Sequence, residues 1–421
     1  MRKLFYLPWV FACFVLWGTC ANAADTAPSG PLSVQDCIKI AMQNQIDVLT
    51  AQTNIITAKS RADQAKSSYF PQLSIQNNAF HFGSQSVLSR VTNGTALSVD
   101  QNIFDGGLRE ANVTSARYGL KQNSARLTRT TQTVAFNVTK AYYDVLRAKR
   151  LAEVAEANVT YTEGLKEQVQ TRAELGDAAA VDVLPVEAQL ATARVNLLSA
   201  KNTVRTSSLS LESGMGLAPT PGFDVQDVGT ITEPELGILQ EYVKQAETSR
   251  PDVIATKAGT GSARASVRSA KINLWPRPTI TGQYQRQISG GFTTSGTQVV
   301  GGFVFDLFNG GASRAAYREA QALRINAEQQ ETQIYKDIQV QVEEAYLNLT
   351  SSKERLAATQ AGLAAAQKNY EVQKERYNQG LAITLDLLNA ELQLITAQTN
   401  EVQARYDYYT AISQMDYAVG G

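Results

Sequence analysis

The side chains in this chain that could do chemistry are few, and most stand alone. Its single histidine, His81, falls in a predicted strand, with no cysteine or paired carboxylate at ligand spacing, so it makes a poor metal site. No Ser/His/Asp set can be assembled around one histidine. There is no Gly-x-x-x-x-Gly-Lys nucleotide loop, so any energy must come from a partner. Helical carboxylates such as Glu343 and Glu344 read as solvated surface or lining. The pattern argues against an enzyme and offers no catalytic, cofactor or metal residues. Two carboxylates differ from the rest. Asp182 and Asp386 hold equivalent places in two copies of one pattern. Each lies in the first turn of a predicted helix, where the helix dipole favours a negative charge by about 0.3–1 kcal/mol.

The copies extend along most of the chain. Asn102-Ile103-Phe104-Asp105-Gly106-Gly107 returns as Asp306-Leu307-Phe308-Asn309-Gly310-Gly311. Tyr69-Phe70-Pro71 returns as Leu274-Trp275-Pro276, and Leu175-Gly176, Asp182, Leu184 and Glu187 return as Gln379-Gly380, Asp386, Leu388 and Glu391. A long internal repeat means one structural unit used twice.

The N-terminus reads as a secretory signal: Arg2 and Lys3, an apolar run from Leu4 to Leu16, and Ala21-Asn22-Ala23 as cleavage site. Trp17-Gly18-Thr19 makes Cys20 a poor lipidation site. Beyond the signal Cys37 is the only cysteine, so no intrachain disulfide is available. Removing Arg2 and Lys3 from 39 basic residues leaves 37 against 39 acidic, which argues against a nucleic-acid partner. No later apolar run is long enough for a spanning helix.

Two proline-free stretches, 107–176 and 311–380, would each form roughly 105 Å of helix. Tyr335, Val342, Leu349, Leu356, Leu363, Tyr370 and Tyr377 are spaced by seven, with mostly small residues three further on. Val134, Ala141, Ala148, Ala155, Thr162 and Val169 mark the same stripe in the first copy. Such repeats pack helix on helix as a left-handed coiled coil. The expected organisation is a signal peptide (1–23), a first repeat (24–213), a linker (214–237) and a second repeat (238–421). The first repeat carries helices near 47–68, 107–176 and 181–213 and strands near 73–82 and 96–104. The second carries helices near 251–273, 311–380 and 384–413 and strands near 279–288 and 298–307. Residues 83–94 and 289–296 read as hairpin loops.

Each strand has the length of one tilted membrane crossing. Four strands cannot close a barrel, and an open edge in lipid leaves backbone groups unpaired. Three copies would supply twelve strands, with the glycine pairs Gly106-Gly107 and Gly310-Gly311 at the strand-to-helix junctions. The fold class is therefore mainly α with short β: long coiled-coil helices forming a periplasmic α-barrel, and four strands per chain in a trimeric outer-membrane β-barrel.

The doubled junctions, the Phe70-Pro71 break and the Tyr377-Asn378-Gln379-Gly380 turn followed by Asp386-Leu387-Leu388-Asn389-Ala390 resemble the TolC-type outer-membrane factors across the whole mature chain. The resemblance implies a homotrimeric, passive exit duct of a tripartite efflux or type I secretion system, lodged in the outer membrane with a periplasmic helical tunnel. It implies two partners, a periplasmic adaptor and an inner-membrane pump of RND, ABC or MFS type. It implies a periplasmic constriction at Asp386, Asp182 and Tyr377, and adaptor docking at the tips Gly176, Asp177, Ala178, Gly380, Leu381 and Ala382. The family's second acidic residue is Asn389 here (Pro185 in the first copy), and its tip arginine is Ala382, which implies a weaker acidic ring and latch. The competing reading is a trimeric coiled-coil surface protein with a β-barrel anchor; that class usually carries one C-terminal anchor. A periplasmic adaptor would lack two separate strand pairs. Four methionines do not suggest a soft-metal path.

Overall fold

The structure, a computed structural model, describes residues 30–80, 92–175, 179–219, 223–229, 236–289 and 292–421. Its elements run α1 (Val34–Asn44), α2 (Ile46–Ser67), β1 (Gln72–Phe80), β2 (Thr92–Phe104), α3 (Leu108–Leu175), a 3-10 turn (Ala180–Asp182) and α4 (Val183–Gly214). They continue as α5 (Leu239–Ser249), α6 (Pro251–Ile272), β3 (Arg277–Ser289), β4 (Phe292–Val304), α7 (Ala312–Asn378) and α8 (Thr384–Val419). The same order of helix, helix, strand, strand, long helix and returning helix occurs twice.

Each long helix is about 100 Å of uninterrupted coil. α4 returns along α3 and α8 along α7, while α6 lies against both α3 and α7. The seven-residue stripe is the packed seam. Val134, Val138, Tyr142 and Val145 of α3 and Ile338, Val342, Ala345 and Leu349 of α7 belong to one core, joined through Tyr406, Tyr409 and Met415 of α8, which packs against both long helices. Where α3 meets α6 the seam changes character. Ser115 Oγ lies 3.0 Å from Ser262 Oγ and 3.3 Å from Ser266 Oγ. A Cβ on Gly261 would come within 2.7 Å of the Tyr118 ring. Small residues let these backbones approach.

Four differences from the sequence reading have physical causes. Short helices α1 and α5 precede α2 and α6, separated from them by single extended residues, Gln45 and Arg250. Ser33 caps α1 by accepting from the Asp36 amide at 3.3 Å. The expected loop 289–296 is instead mostly strand, because β3 runs to Ser289 and β4 starts at Phe292. Thr293, Thr294 and Ser295 pair with Ile288, Gln287 and Arg286 across the ladder, although their composition matches that of a loop. Likewise 92–94, expected in the first loop, belong to β2. The remaining loop residues 83–91, the last expected strand residues 81–82 and His81 itself lie outside the described residues. Finally, α8 runs past Ser413 to Val419, since no breaker intervenes before Gly420, whose φ is 100°. Its terminal carbonyls are taken by Arg129 (to Tyr417 O, 3.0 Å), Arg250 (to Ala418 O, 3.2 Å) and Ser249 (to Val419 O, 2.8 Å).

The Gly- and Pro-rich 214–237 segment is pinned where it is described. Leu32 and Val225 form a parallel bridge, the Tyr142 hydroxyl sits between the carbonyls of Leu32 and Gln226, and Lys149 and Arg150 hold Asp224 and Asp227.

Replacing Gly261 by Leu should force α3 and α6 apart and cost about 1–3 kcal/mol. The check is the helical circular-dichroism melt, whose midpoint should fall; an unchanged midpoint would contradict the close approach.

Candidate functional site: a two-faced sheet and the helical tips

The four strands form one antiparallel sheet in the order β1-β2-β3-β4. Registers place Gln72 opposite Asp100, Asp100 opposite Gln283, and Gln283 opposite Gln298, so these four share a face. Side chains alternate along a strand. That face therefore also carries Ser74, Ser98, Asn102, Thr281, Gln285 and Gln287. Ser74 and Ser98 pair at 2.7 Å, and Gln298 donates to Gln283 at 2.6 Å. A groove of about 280 Å³ runs between the glutamines. Asp100 is the one carboxylate on this face among the described strand residues.

The opposite face gathers the larger apolar residues, interrupted by Gln101, Arg286, Ser295 and Thr297. Leu73, Val99 and Tyr284 stand in one row across the sheet, Ile75 and Leu97 in the next, and Pro278 pairs with Phe303. A bulge between Asn102 and Phe104 keeps both Ile103 and Phe104 with this face: Ile103 lies over Gly282, and Phe104 pairs with Ile280. Leu73, Ile75, Val299 and Phe303 are exposed, as are Tyr69, Phe70, Trp275, Phe305 and Phe308 around the junctions. Amphipathic aromatics at that level suit a membrane–water boundary. A sheet with these two faces suits a barrel solvated inside and lipid-bathed outside.

All four junction glycines have positive φ: Gly106 71°, Gly107 89°, Gly310 66° and Gly311 86°. The first junction is tied. The Asp105 carboxylate accepts from the amides of Gly107 (3.2 Å) and Arg109 (2.9 Å). The Arg109 guanidinium donates to Asn102 O at 2.8 Å and lies 4.0 Å over the Tyr69 ring. At the second junction Asn309 replaces the aspartate, and its side chain donates to Ser313 Oγ at 2.6 Å.

At the far end, Gly380 (φ 74°) turns α7 into α8, with Leu381 N–H donating to Arg376 O at 2.8 Å. Tyr377 is buried among Leu165, Val169, Val186, Leu387 and Leu388. Arg172 covers its ring at 4.7 Å and donates to its carbonyl at 3.3 Å. Asp386 is exposed in the first turn of α8; Asp182 is half-buried at the start of α4, with no capping bond from its side chain. Gly380, Leu381 and Ala382 form the second tip, where Leu381 is 65% exposed. Gly176, Asp177 and Ala178 lie outside the described residues.

One residue escaped the sequence reading. Glu391 is 3% exposed, takes a hydrogen bond from Thr162 Oγ1 at 3.2 Å, and has no partner for Oε2. Burial pushes its carboxyl up to about 7, and the Thr162 bond offsets only part of that. Its repeat counterpart Glu187 is instead paired with Lys166 at 2.8 Å. The available signal was position: Glu391 falls three residues after Leu388 of the α8 stripe, on the seam side.

A sheet polar inside and apolar outside, running straight into coiled-coil helices of membrane-exceeding length, defines an outer-membrane channel-tunnel. Residues 37–217 and 242–421 match the family described as outer membrane efflux protein, and the chain belongs to that family. It is 23% identical over 420 residues to the outer membrane efflux protein BepC of Brucella suis, covering 97% of this chain and 91% of BepC. It is also 23% identical over 372 residues to the outer membrane protein TolC of Escherichia coli, covering 83% and 74%. Among solved structures, VceC of Vibrio cholerae superposes with TM-score 0.80 at 19% identity, over 92% of this chain and 96% of that one. CusC gives 0.80 at 16% identity, over 92% of each. The protein is thus an outer-membrane export channel with its helices in the periplasm, from a family of channels and not of enzymes.

Because the Glu391 carboxyl titrates higher folded than unfolded, the native state holds the extra proton between about pH 4.5 and 7. Its share of stability is present below that window and lost as pH rises through it. Glu391→Gln should therefore stabilise the fold at pH 8 by about 1–3 kcal/mol, read as a higher melting midpoint, and change little at pH 4. Equal effects at both pH values would contradict the buried, raised carboxyl.

Proposed function

We propose that three copies of this chain close a twelve-stranded barrel and act as the passive exit duct of a tripartite efflux or type I secretion system. The observation that carries the reading is the pair of unpaired sheet edges, β1 and β4, on a sheet whose outer face is apolar. Backbone groups left open in hydrocarbon cost several kcal/mol each. A neighbour's β4 against β1 satisfies them. The bonded registers within the chain keep the glutamine face continuous around the lumen.

In this reading energy comes from an inner-membrane pump, of RND, ABC or MFS type, through a periplasmic adaptor. Relatives named for pyoverdine export and for alkaline protease secretion support a duct whose cargo is set by its partners. Asp386, exposed at the tip, and Asp182 form the periplasmic constriction. Tyr377, buried behind Asp386, holds the turn that presents it. The apolar second tip, Gly380, Leu381 and Ala382 with exposed Ile383 and Leu385, docks the adaptor, and Gly176, Asp177 and Ala178 form the matching first tip.

Asp386→Asn should weaken block of single-channel current by divalent cations about tenfold, the scale of one lost charge interaction. Block unchanged from the parent would remove Asp386 from the constriction. Gly380→Trp should abolish export in cells while the protein still reaches the outer membrane as trimers; normal export would refute docking at this tip.

A further inference from the structure

The charge of this chain is segregated along its length. In the helix segments nearest the sheet (56–67, 108–126, 261–272 and 312–326) there are 13 lysines and arginines against three acidic residues, whereas the whole chain has 39 of each. The excess is not used internally. Arg109 is tied into the junction, and Lys66 and Arg264 have carboxylate partners, Asp63 and Glu328. Lys59, Arg117, Lys121, Arg268, Arg314 and Arg318 are exposed, and among the described residues none of the six takes part in an ion pair.

The side on which they stand follows from the grooves. Two polar grooves, of about 710 and 510 Å³, each touch α2, α3, α6 and α7 together. Four adjacent helices share one groove only on the concave side of their layer. On α3 that side is marked by Asn112, Ala116, Gly119 and Asn123. At 100° per residue Arg117 and Lys121 point the other way. The same rotation puts Arg268 opposite Gly259 and Ser266 on α6, and Arg314 and Arg318 opposite Ala316 and Ala327 on α7. The concave face keeps only Arg61, Arg126 and Arg129 of the cations in these grooves.

The height of the band is set by the junctions. Counting helical rise from them, Arg314 stands about 5 Å below the sheet, Arg268 about 8 Å, Arg318 about 11 Å and Lys121 about 20 Å. Exposed Trp275 and Phe70 mark the boundary itself. Most of the six cations therefore lie within a side-chain length plus a Debye length of about 8–10 Å from the periplasmic surface of the bilayer. Lysine and arginine clusters at this position attract anionic lipid head groups.

We propose that this outward band is a docking collar for anionic phospholipid head groups of the periplasmic leaflet. It rests on the placement of the sheet in the outer membrane. Guanidinium groups of Arg268, Arg314 and Arg318 take the phosphates nearest the barrel, and Lys59, Arg117 and Lys121 extend the field below them. The collar fixes the height of the barrel and gathers an anionic lipid annulus.

Trp275 is the only tryptophan beyond residue 17, which makes it a reporter at the boundary. The mature protein would be reconstituted into phosphatidylcholine vesicles containing a minor fraction of phosphatidylglycerol, or of phosphatidylcholine, brominated near the head group. Quenching of Trp275 by brominated phosphatidylglycerol should exceed that by brominated phosphatidylcholine about twofold or more at low salt, and the excess should fall at high salt. The K59Q/R117Q/R268Q/R314Q/R318Q variant should quench equally with both lipids. R61Q/R126Q, on the concave face, should keep the preference. Equal quenching in the parent protein would overturn the collar, as would a preference retained by the five-site variant or lost in R61Q/R126Q. Equal quenching combined with retention on isolated peptidoglycan that depends on the same five residues would overturn it in favour of the cell wall. No quenching by either lipid would instead overturn the membrane placement on which the collar rests.

Discussion

The two unpaired edges of the sheet constrain everything else in this molecule. Between β1 and β4 the chain satisfies its own backbone, with registers that gather Leu73, Ile75, Leu97, Val99, Val299 and Phe303 on one face and Gln72, Asp100, Gln283 and Gln298 on the other. At the edges it does not, although the outward face is built for lipid. Hydrocarbon tolerates strands only in a closed barrel. On the proposed closure by neighbouring copies the chain is one stave of an assembly, and the helices follow from that. They leave the sheet at glycine pairs whose positive φ values turn the path without Cβ strain. They stay together through a seam too narrow and too long to stand as a globular core.

The two halves share a plan but differ in how firmly each is held. Asp105 and Arg109 tie the first junction to Ser68, Asn102 and the Tyr69 ring. At the second, a Cβ added to Gly310 or Gly311 would meet nothing within 4 Å, and Asn309 makes only local bonds among the described residues, to Ser313 and Ala312. The same contrast recurs in the returning helices, where exposed Glu187 holds Lys166 and buried Glu391 holds only a threonine hydroxyl. A chain whose one edge must meet another copy's opposite edge has reason to keep its two ends unlike. Arg129 and Arg250 stabilise a further joint, taking the last carbonyls of α8 while Asp252 balances their charge. The α5–α6 break at Arg250 is thereby locked to the end of α8.

Much of this architecture was legible in the residues. Proline-free runs and seven-residue spacing locate α3 and α7, since backbone hydrogen bonding and a continuous apolar stripe are local properties. The junction glycines and the alternation of Leu97 and Val99 with Ser98 and Asp100 likewise write their geometry into a few neighbours. What depended on distant partners was hidden. The polar Thr293, Thr294, Ser295 and Thr297 read as loop because a polar strand and a loop share a composition; their pairing with Ile288, Gln287, Arg286 and Tyr284 is what makes them strand. Helices α1 and α5 are short and carry their apolar residues toward α3 and α7, so neither announces itself by length. Tyr377 showed on its seven-residue stripe, and Glu391 only as the repeat counterpart of Glu187. Only packing shows that one ends under Arg172 and the other between helices without a full set of hydrogen bonds.

The central claim is closure by neighbours, and the mass of the detergent-solubilised particle tests it most directly. Light scattering or native mass spectrometry on protein that still conducts ions in planar bilayers should give three chains. A conducting particle of one chain would contradict the account, because its β1 and β4 edges would then lie open in lipid.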